Sequence, residues 1–280
     1  MTAELFTDLS IDDYHARKDV LSKSMLADFM DCPARFKHVH IDGARKDDKD
    51  HLRLGNAVHT LALEPELFHE RHYILPEGIR RDARTAAYKE HLEAAGTKTI
   101  IRAQDLVNVK GMADSLKANK KALALLQASG KIEASIFWTD QSTGLDLRCR
   151  PDFMRDDGLI VDLKTTNSAC PDTFERNAFN LGYDVSVALT SEGYHALTGE
   201  MPADYVFLAV ETEPPYLIEA YNTYTPFQDD VSLLLVGQKR LNKTLHHFAH
   251  CKKTNHWPGY SEGIVPLGVP GYQLKQLEAA

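Results

Sequence analysis

The stretch that decides the fold is residues 145–166, which reads LDLRCRPDFMRDDGLIVDLKTT. Its first part alternates apolar and polar residues, as a half-buried β-strand does. Asp156-Asp157-Gly158 is typical of a turn, and the apolar run at residues 159–161 begins a second strand. The pattern therefore predicts a β-hairpin.

Two carboxylates and a lysine lie on this predicted hairpin. Side chains alternate faces along a strand, so Asp162 and Lys164 share one face and Leu163 points to the other. The hairpin would bring Asp152 close to the same edge. Magnesium prefers oxygen ligands and keeps several waters, and an ammonium group beside it can stabilise charge in phosphodiester hydrolysis. The set suggests a metal-dependent phosphodiesterase; the alternative is an exposed hairpin with ordinary solvated charges.

An apolar helix upstream carries a further candidate ligand. Residues 53–65 (RLGNAVHTLALEP) predict a helix that ends before Pro65. His59 and Leu63 are one turn apart and share a face of it. Neutral imidazole is a good metal ligand, so His59 is a candidate. The alternative is a histidine whose polar atoms are satisfied inside the core.

Taken in order, these segments resemble the RecE-type exonuclease domain (exonuclease VIII), in the RecB-like branch of the PD-(D/E)XK nuclease superfamily. The motifs that carry the resemblance are Gly55-x3-His59-x4-Glu64, Cys149-Arg150-Pro151-Asp152 and Asp162-Leu163-Lys164-Thr165-Thr166. The similarity runs from about residue 21 to about residue 257. It implies an α/β fold with a central mixed β-sheet flanked by helices, that is, a restriction-endonuclease-like core with an N-terminal helical elaboration.

The resemblance also implies one nuclease domain over residues 1–280. Residues 1–130 would be its mainly helical part with the histidine motif, 131–225 the catalytic core, and 226–280 a C-terminal helix and tail. Within the chain, the residue pattern predicts helices at 23–39, 52–63, 82–95, 103–129, 171–181, 184–197 and 227–250. It predicts strands at 131–138, 146–153, 159–164, 203–211 and 216–224.

Individual residues take roles from the same resemblance. The metal ligands would be His59, Asp152, Asp162 and the backbone carbonyl of Leu163, and the metal would be Mg²⁺, with Mn²⁺ as a substitute. The catalytic residues would be Asp152, Asp162 and Lys164. The candidates for supporting residues around them are Glu133, Tyr183 and Ser186.

One departure from the family lies on the helix after the hairpin. The family usually carries Gln-x3-Tyr there, which helps to hold the active site and DNA, whereas this chain has Ser186 and Thr190. Both are short hydroxyls with less reach. Either Tyr183 or Tyr194 takes over the contact, or the helix is only structural, or activity is reduced.

Composition places the chain among ordinary globular proteins. Its 280 residues are 43% hydrophobic and 26% charged. No apolar run approaches the roughly 20 residues of a membrane span, and the acidic N-terminus lacks the pattern of a signal peptide, so we expect a cytoplasmic protein. The spacing of the four cysteines favours neither a disulfide framework nor an iron–sulfur cluster. His246 and His250 have zinc-like spacing but no second ligand pair.

The net charge of −8 is unusual for a protein that binds DNA, because phosphate contacts need Lys and Arg. Local distribution matters more than the sum, since exposed charges are screened beyond about 8 Å. Residues 231–261 contain no Asp or Glu, and the DNA-binding candidates there are Lys239, Arg240 and Lys243. Two further basic groups are Arg80, Arg81 and Arg84, and Lys117, Lys120 and Lys121. The alternative for each group is a solvated surface.

The function that the resemblance implies is a metal-dependent exonuclease on linear double-stranded DNA, acting 5′ to 3′. The product would carry 3′ single-stranded overhangs for recombination by strand annealing, as in phages. Its partners would be double-stranded DNA ends, a RecT-like annealing protein and further copies of the chain in a ring tetramer, with no membrane involved. The alternatives are a structure-specific or restriction-type endonuclease, and a catalytically weakened DNA-binding member of the superfamily.

Overall fold

The structure is a computed structural model that describes residues 3–44, 50–226 and 231–269. The strands in these ranges are β1 (Glu4–Phe6), β2 (His72–Leu75), β3 (Thr99–Arg102), β4 (Gly130–Ile132), β5 (Ser135–Thr139), β6 (Asp146–Cys149), β7 (Phe153–Arg155), β8 (Leu159–Thr166), β9 (Asp204–Glu211) and β10 (Ile218–Asn222). The helices are α1 (Ile11–Ala16), α2 (Lys23–Asp31), α3 (Pro33–Phe36), α4 (Asp50–Leu63), α5 (Phe68–Arg71), α6 (Ala86–Ala95), α7 (Ala103–Ala118), α8 (Lys120–Leu126), α9 (Pro171–Asn180), α10 (Tyr183–Thr198) and α11 (Leu233–Thr254).

The central sheet has five strands in the order β10-β9-β8-β7-β4. Strands β8 and β9 are parallel, and the other neighbours are antiparallel. Parallel strands require a crossover connection, which α9 and α10 provide between β8 and β9. The predicted mixed sheet flanked by helices is confirmed. The division into parts 1–130, 131–225 and 226–280 stays a prediction.

Apolar clusters cover both faces of this sheet because the residues of β8 alternate between them. Val161 and Leu163 pack on one face with Val58 of α4 and Met112 of α7. Ile160 packs on the other face in the cluster of α9 and α10. Asp162 and Lys164 lie on the face of Ile160, opposite to Leu163, as the alternation predicts.

The strands predicted at 131–138 and 146–153 are each two strands, so those two predictions are wrong in extent. β4 and β7 pair in the central sheet, whereas β5 and β6 pair in a second sheet with β1. Both segments change from one sheet to the other at the same level, where the Glu133 amide donates to the Asp152 carbonyl at 2.9 Å. Pro151 has no N–H to continue a ladder, and Glu133 has φ +47°, which no regular strand allows.

Helix boundaries differ from prediction where local capping competes. The helix predicted at 23–39 breaks at Cys32, because Pro33 begins a new helix. A π-helical segment, Lys37–Ile41, continues from that helix. The helix predicted at 103–129 breaks at Asn119, whose side chain accepts from the Lys121 and Ala122 amides and so caps α8. The helix predicted at 227–250 begins at Leu233 after Ser232; residues 227–230 lie outside the described part. Helices α1 and α5 and strands β1, β2 and β3 were not predicted.

The described helices include no segment that is both long and apolar enough to cross a membrane.

Candidate active site

Asp152 lies at the bend between the two sheets, one residue before β7. Phe153 pairs with Val161 across the hairpin, so the next position along each strand sets Asp152 beside Asp162. Asp152 Oδ2 accepts a hydrogen bond from the Leu163 amide at 2.7 Å. Its Oδ1 lies 3.4 Å from Nδ1 of His59, which reaches the hairpin from α4, and both side chains are 18% exposed. The hairpin thus brings these predicted ligands together.

Asp162 receives two donors in the interior of the sheet. The ammonium group of Lys164 donates to its Oδ1, and the hydroxyl of Tyr205 donates to its Oδ2. Asp162 is 7% exposed and Tyr205 is 1% exposed. Tyr205 was missed from the sequence. The parallel register of β8 and β9 pairs Ile160 with Tyr205, and this places the Tyr205 side chain on the face of the sheet that carries Asp162.

Burial and mutual charge set the pKa values in this cluster. Burial raises the pKa of Asp162, and the charge of Asp152 adds to the effect while Lys164 opposes it. Burial acts on Asp152 in the same direction, but His59 outweighs it and holds the pKa of Asp152 below its ordinary value. Burial would lower the pKa of His59 and of Lys164; the neighbouring carboxylates instead raise both. Lys164 is therefore fully protonated at neutral pH.

The donor set fits a hard divalent cation. Two carboxylates and an imidazole meet beside β7 and β8, and the repulsion between Asp152 and Asp162 is what a bound cation would remove. In the part of the chain that the structure describes, no three or more His, Cys, Asp or Glu side chains form a group that could hold a metal ion as the side chains stand, and this includes His59, Asp152 and Asp162. Lys164 occupies one oxygen of Asp162, so a cation there competes with the ammonium group. The role of the Leu163 carbonyl stays a prediction.

Tyr183 forms a wall of the cluster. Its ring centroid lies 5.3 Å from Nζ of Lys164 and 5.7 Å from Nζ of Lys23, within the range of cation–π attraction. Lys23 also donates to the Leu181 carbonyl at 2.7 Å. Burial lowers the pKa of Lys23, and the positive charge of Lys164 lowers it further. Nothing in the local sequence pattern marked Lys23 as a neighbour of the site.

The residues that replace the family's Gln-x3-Tyr lie on α10. Ser186 is half-buried one turn after Tyr183, and Thr190 is buried. The Thr190 hydroxyl interacts with the Cys149 thiol, which joins α10 to β6. The contact that reaches Lys164 from this helix is made by the Tyr183 ring. That Tyr183 takes over the role of the family's residues stays one of the alternatives given above.

Glu133 stands behind the Asp152 bend in a network of arginines. It accepts from Arg150 Nη2 at 3.3 Å and lies 3.8 Å from Arg71 Nη1. Arg71 also donates to Glu64 at 2.6 Å, which links the end of α4 to the bend. The Glu133 carboxylate contacts neither Asp152 nor Asp162 among its recorded hydrogen bonds and ion pairs, so any support it gives acts through the backbone.

The three predicted DNA contacts on α11 have different environments. Lys239 and Lys243 are exposed. Arg240 Nη1 donates to both carboxylate oxygens of buried Asp184, each at 2.8 Å. This ion pair ties α11 to α10, so the Arg240 guanidinium has a structural partner. His246 and His250 on the same helix gain no third ligand among the described residues.

Residues 22–265 match the family described as a PDDEXK-like domain of unknown function (DUF3799). The crystal structure of a protein from Eubacterium rectale is similar to this chain, with a TM-score of 0.64 at 14% identity over 96% of this chain and 98% of that chain. The name of that protein describes it as a proposed exonuclease. An alkaline exonuclease from Laribacter hongkongensis covers 69% of this chain and 97% of its own, at 13% identity; its TM-score of 0.29 is too low to indicate a shared fold. The comparison with curated proteins gives no significant match. Because the family match spans most of the sequence, the chain belongs to the PDDEXK-like family, and the predicted relation to the PD-(D/E)XK superfamily is confirmed.

Proposed function

We propose that this protein is a metal-dependent exonuclease that degrades linear double-stranded DNA. The observation that carries the proposal is the meeting of His59, Asp152, Asp162 and Lys164 beside β7 and β8 of the central sheet. These four residues come from α4, the bend before β7, and β8. Membership of the PDDEXK-like family supports nuclease chemistry for this arrangement.

In this proposal His59, Asp152 and Asp162 hold a divalent cation, Mg²⁺ or Mn²⁺. Such an ion polarises a phosphoryl oxygen and lowers the pKa of a water bound to it. The hydrolysis adds water to phosphorus and breaks one phosphorus–oxygen ester bond of the strand. The chain's own residues position the substrate and offset the charge that develops.

Lys164 is suited to stabilising negative charge. Burial lowers its pKa, but Asp162 and Asp152 raise it further, so before a cation binds it is an ammonium group at neutral pH. The rings of Tyr183 and Phe207 lie 5.3 and 5.9 Å from Nζ and restrict its position. A preorganised positive charge of this kind acts mainly in the transition state.

The exonuclease form of the proposal rests on the resemblance to RecE-type enzymes and on the fold shared with the Eubacterium rectale protein. From the resemblance we also propose 5′ to 3′ polarity, 3′ overhangs for strand annealing, a RecT-like partner and a ring of subunits. A cytoplasmic setting in a phage-infected or lysogenic bacterium suits such a role.

A second candidate is a DNA-binding protein with weakened catalysis. The observation in its favour is Thr190, whose hydroxyl interacts with Cys149 where the family usually presents a longer tyrosine. Ser186 likewise replaces a longer glutamine.

The experiment is a timed digestion of linear duplex, labelled at the 5′ or the 3′ end, beside covalently closed circular DNA. We expect Mg²⁺ to support release of nucleotides from the linear duplex, EDTA to abolish it, and the closed circle to survive. Early release of the 5′ label would support the proposed polarity. Cleavage of the circle would favour an endonuclease, and no release with any divalent metal would favour the DNA-binding candidate.

A further inference from the structure

A concavity lies on the β2–β3 side of the molecule, and none of the catalytic candidates lines it. We name it the arginine cleft; it is lined by residues 78–85, Tyr88, Arg102 and Gln104 and has a volume of about 1120 Å³. The cleft is much larger than a single phosphate ion. Its floor is fixed, because Tyr88 of α6 packs with Leu75 of β2 and Ile100 of β3.

The charge of the arginine cleft opposes that of the whole chain. Its arginines are Arg80, Arg81, Arg84 and Arg102. Arg84 forms an ion pair with Asp82 at 2.8 Å, the one acid among the residues that line the cleft, all of which are described. Arg102 pairs with Asp105 at 2.6 Å. Four arginines and one acid thus line the cleft, on a protein whose net charge is −8.

Two helices begin at the rim of the same cleft. Helix α6, of 10 residues, starts after Thr85, whose side chain accepts from the Tyr88 amide at 3.3 Å. Helix α7, of 16 residues, starts after Arg102. Thr85, Tyr88, Arg102 and Gln104 all line the cleft, so the first turns of both helices border it. The positive ends of the two helix dipoles thus add to the guanidinium groups, and both favour an anion.

The arginine cleft is joined to the catalytic cluster by rigid packing. Val58 lies on α4 beside His59, and it shares a buried apolar cluster with Ile101 of β3 and Met112 of α7. Arg102 is the last residue of β3. A polyanion held in the cleft is therefore held in a fixed relation to the helix that carries His59.

We propose that the arginine cleft binds backbone phosphates of double-stranded DNA outside the catalytic cluster. Arginine binds phosphate through a planar, forked pair of donors, and a cleft of this size takes more than one phosphate group. Backbone contacts carry no sequence information and fix the orientation of the duplex, which suits an enzyme that acts on any sequence. The identity of the anion rests on the proposed function, and free phosphate or a mononucleotide is the other source of the same chemistry.

The test compares two double variants in a binding assay. Arg80→Ala with Arg84→Ala removes two charges from the cleft. Lys18→Ala with Lys110→Ala removes two exposed charges outside it and serves as the matched control. Fluorescence anisotropy of a labelled blunt duplex is measured in EDTA, so that no cleavage occurs, over a series of salt concentrations.

We expect the cleft variant to lose about tenfold or more in affinity. The slope of log affinity against log salt should fall by about 2, because each phosphate contact contributes roughly 0.9. The control should keep wild-type affinity and slope. Because Asp82 loses its partner in the cleft variant, Arg80→Gln alone is a second variant, expected to lower the slope by about 1. Wild-type affinity and slope in both cleft variants would overturn the proposal.

Competition separates the two sources of phosphate. We expect inorganic phosphate and dAMP at millimolar concentration to displace labelled duplex no better than their ionic strength predicts. Stronger displacement from the wild type, lost in the cleft variant, would make the cleft a small-anion site and overturn the duplex proposal.

The nuclease proposal fails separately. A wild type that binds duplex through the cleft but releases no nucleotides with Mg²⁺ supports the cleft and refutes the nuclease. If the wild type releases nucleotides and the cleft variants bind duplex like the wild type, the nuclease proposal is supported and the cleft proposal is refuted.

Discussion

Substitution of Lys164 separates a role in catalysis from a role in DNA binding. Its ammonium group is bonded to Asp162 and flanked by the rings of Tyr183 and Phe207. We expect Lys164→Ala to lower kcat about 100-fold, the usual cost of removing one transition-state donor. Duplex affinity measured in EDTA should change less than about threefold, because the group acts mainly in the transition state. A large loss of affinity with near-normal kcat would make Lys164 a phosphate-binding residue only.

Tyr205 supports Asp162 from the interior. Tyr205→Phe removes the hydroxyl that donates to Asp162 and keeps the buried ring. We expect it to weaken Mn²⁺ binding by about tenfold, since partners of metal ligands typically matter to that degree, and to lower the free energy of unfolding by about 1 kcal/mol. Calorimetric Mn²⁺ titration and urea unfolding measure the two effects.

The matched control for Tyr205 is Tyr221→Phe, because the Tyr221 hydroxyl donates to the Ala169 carbonyl. The control should lose similar stability and keep wild-type Mn²⁺ affinity. Equal Mn²⁺ affinity in Tyr205→Phe and the control would leave Tyr205 with a purely structural role.

The sequence allowed prediction of the residues whose positions follow from local rules. Asp162, Leu163 and Lys164 are ordered by strand alternation, and the Asp-Asp-Gly turn predicts the hairpin that brings Asp152 to them. Tyr205 and Lys23 were not predictable in this way. Tyr205 reaches Asp162 because β8 and β9 pair in parallel after the crossover through α9 and α10, and Lys23 reaches Tyr183 from α2. Both contacts join residues that are far apart in the sequence, so no local pattern predicts them.

At the scale of elements, strand and helix types were predicted better than their ends. The bend at Glu133 and Asp152 was missed because each strand carries an uninterrupted β-type pattern on both sides of it. The change of sheet depends on which partner each half pairs with, β7 with β8 and β6 with β5. Strands β2 and β3 form a small parallel sheet of their own, and short strands of this kind carry too few residues for periodicity to reveal them.

Helix α10 contains a carboxyl group that makes stability depend on pH. Burial raises the pKa of Glu192 to about 7 from 4.5, and the negative charge of Asp140 contributes. Between those two values the folded state holds a proton that the unfolded chain releases. The free energy of unfolding therefore falls as pH rises through this window, and the loss is complete above pH 7.

We expect Glu192→Gln to remove most of that dependence. At pH 8 the variant should exceed the wild type by about 3 kcal/mol in free energy of unfolding, and the difference should be much smaller at pH 5. Urea unfolding at the two pH values measures this. Glu175→Gln changes an exposed residue and is the control, with no change expected. An equal gain at both pH values for Glu192→Gln would contradict the assignment.

At the scale of the whole molecule, the candidate metal site joins parts that are distant along the chain. His59 comes from α4, Asp152 from the bend between two sheets, and Asp162 from the middle of the central sheet. The fold places them together because the hairpin sets Asp152 beside Asp162, and α4, which packs on this part of the sheet through Val58, presents His59 to Asp152. The arginine cleft is connected to the same site, because β3 and α7, which border the cleft, pack with α4 in one apolar cluster.

The central claim is that His59, Asp152 and Asp162 bind one divalent cation beside Lys164. The most direct measurement is calorimetric Mn²⁺ titration of the wild type, His59→Ala and Asp162→Ala, with urea unfolding to establish that each variant is folded. We expect a saturable site in the wild type that is lost or strongly weakened in both variants. Wild-type Mn²⁺ affinity in folded Asp162→Ala would contradict it, because the site would then lie elsewhere.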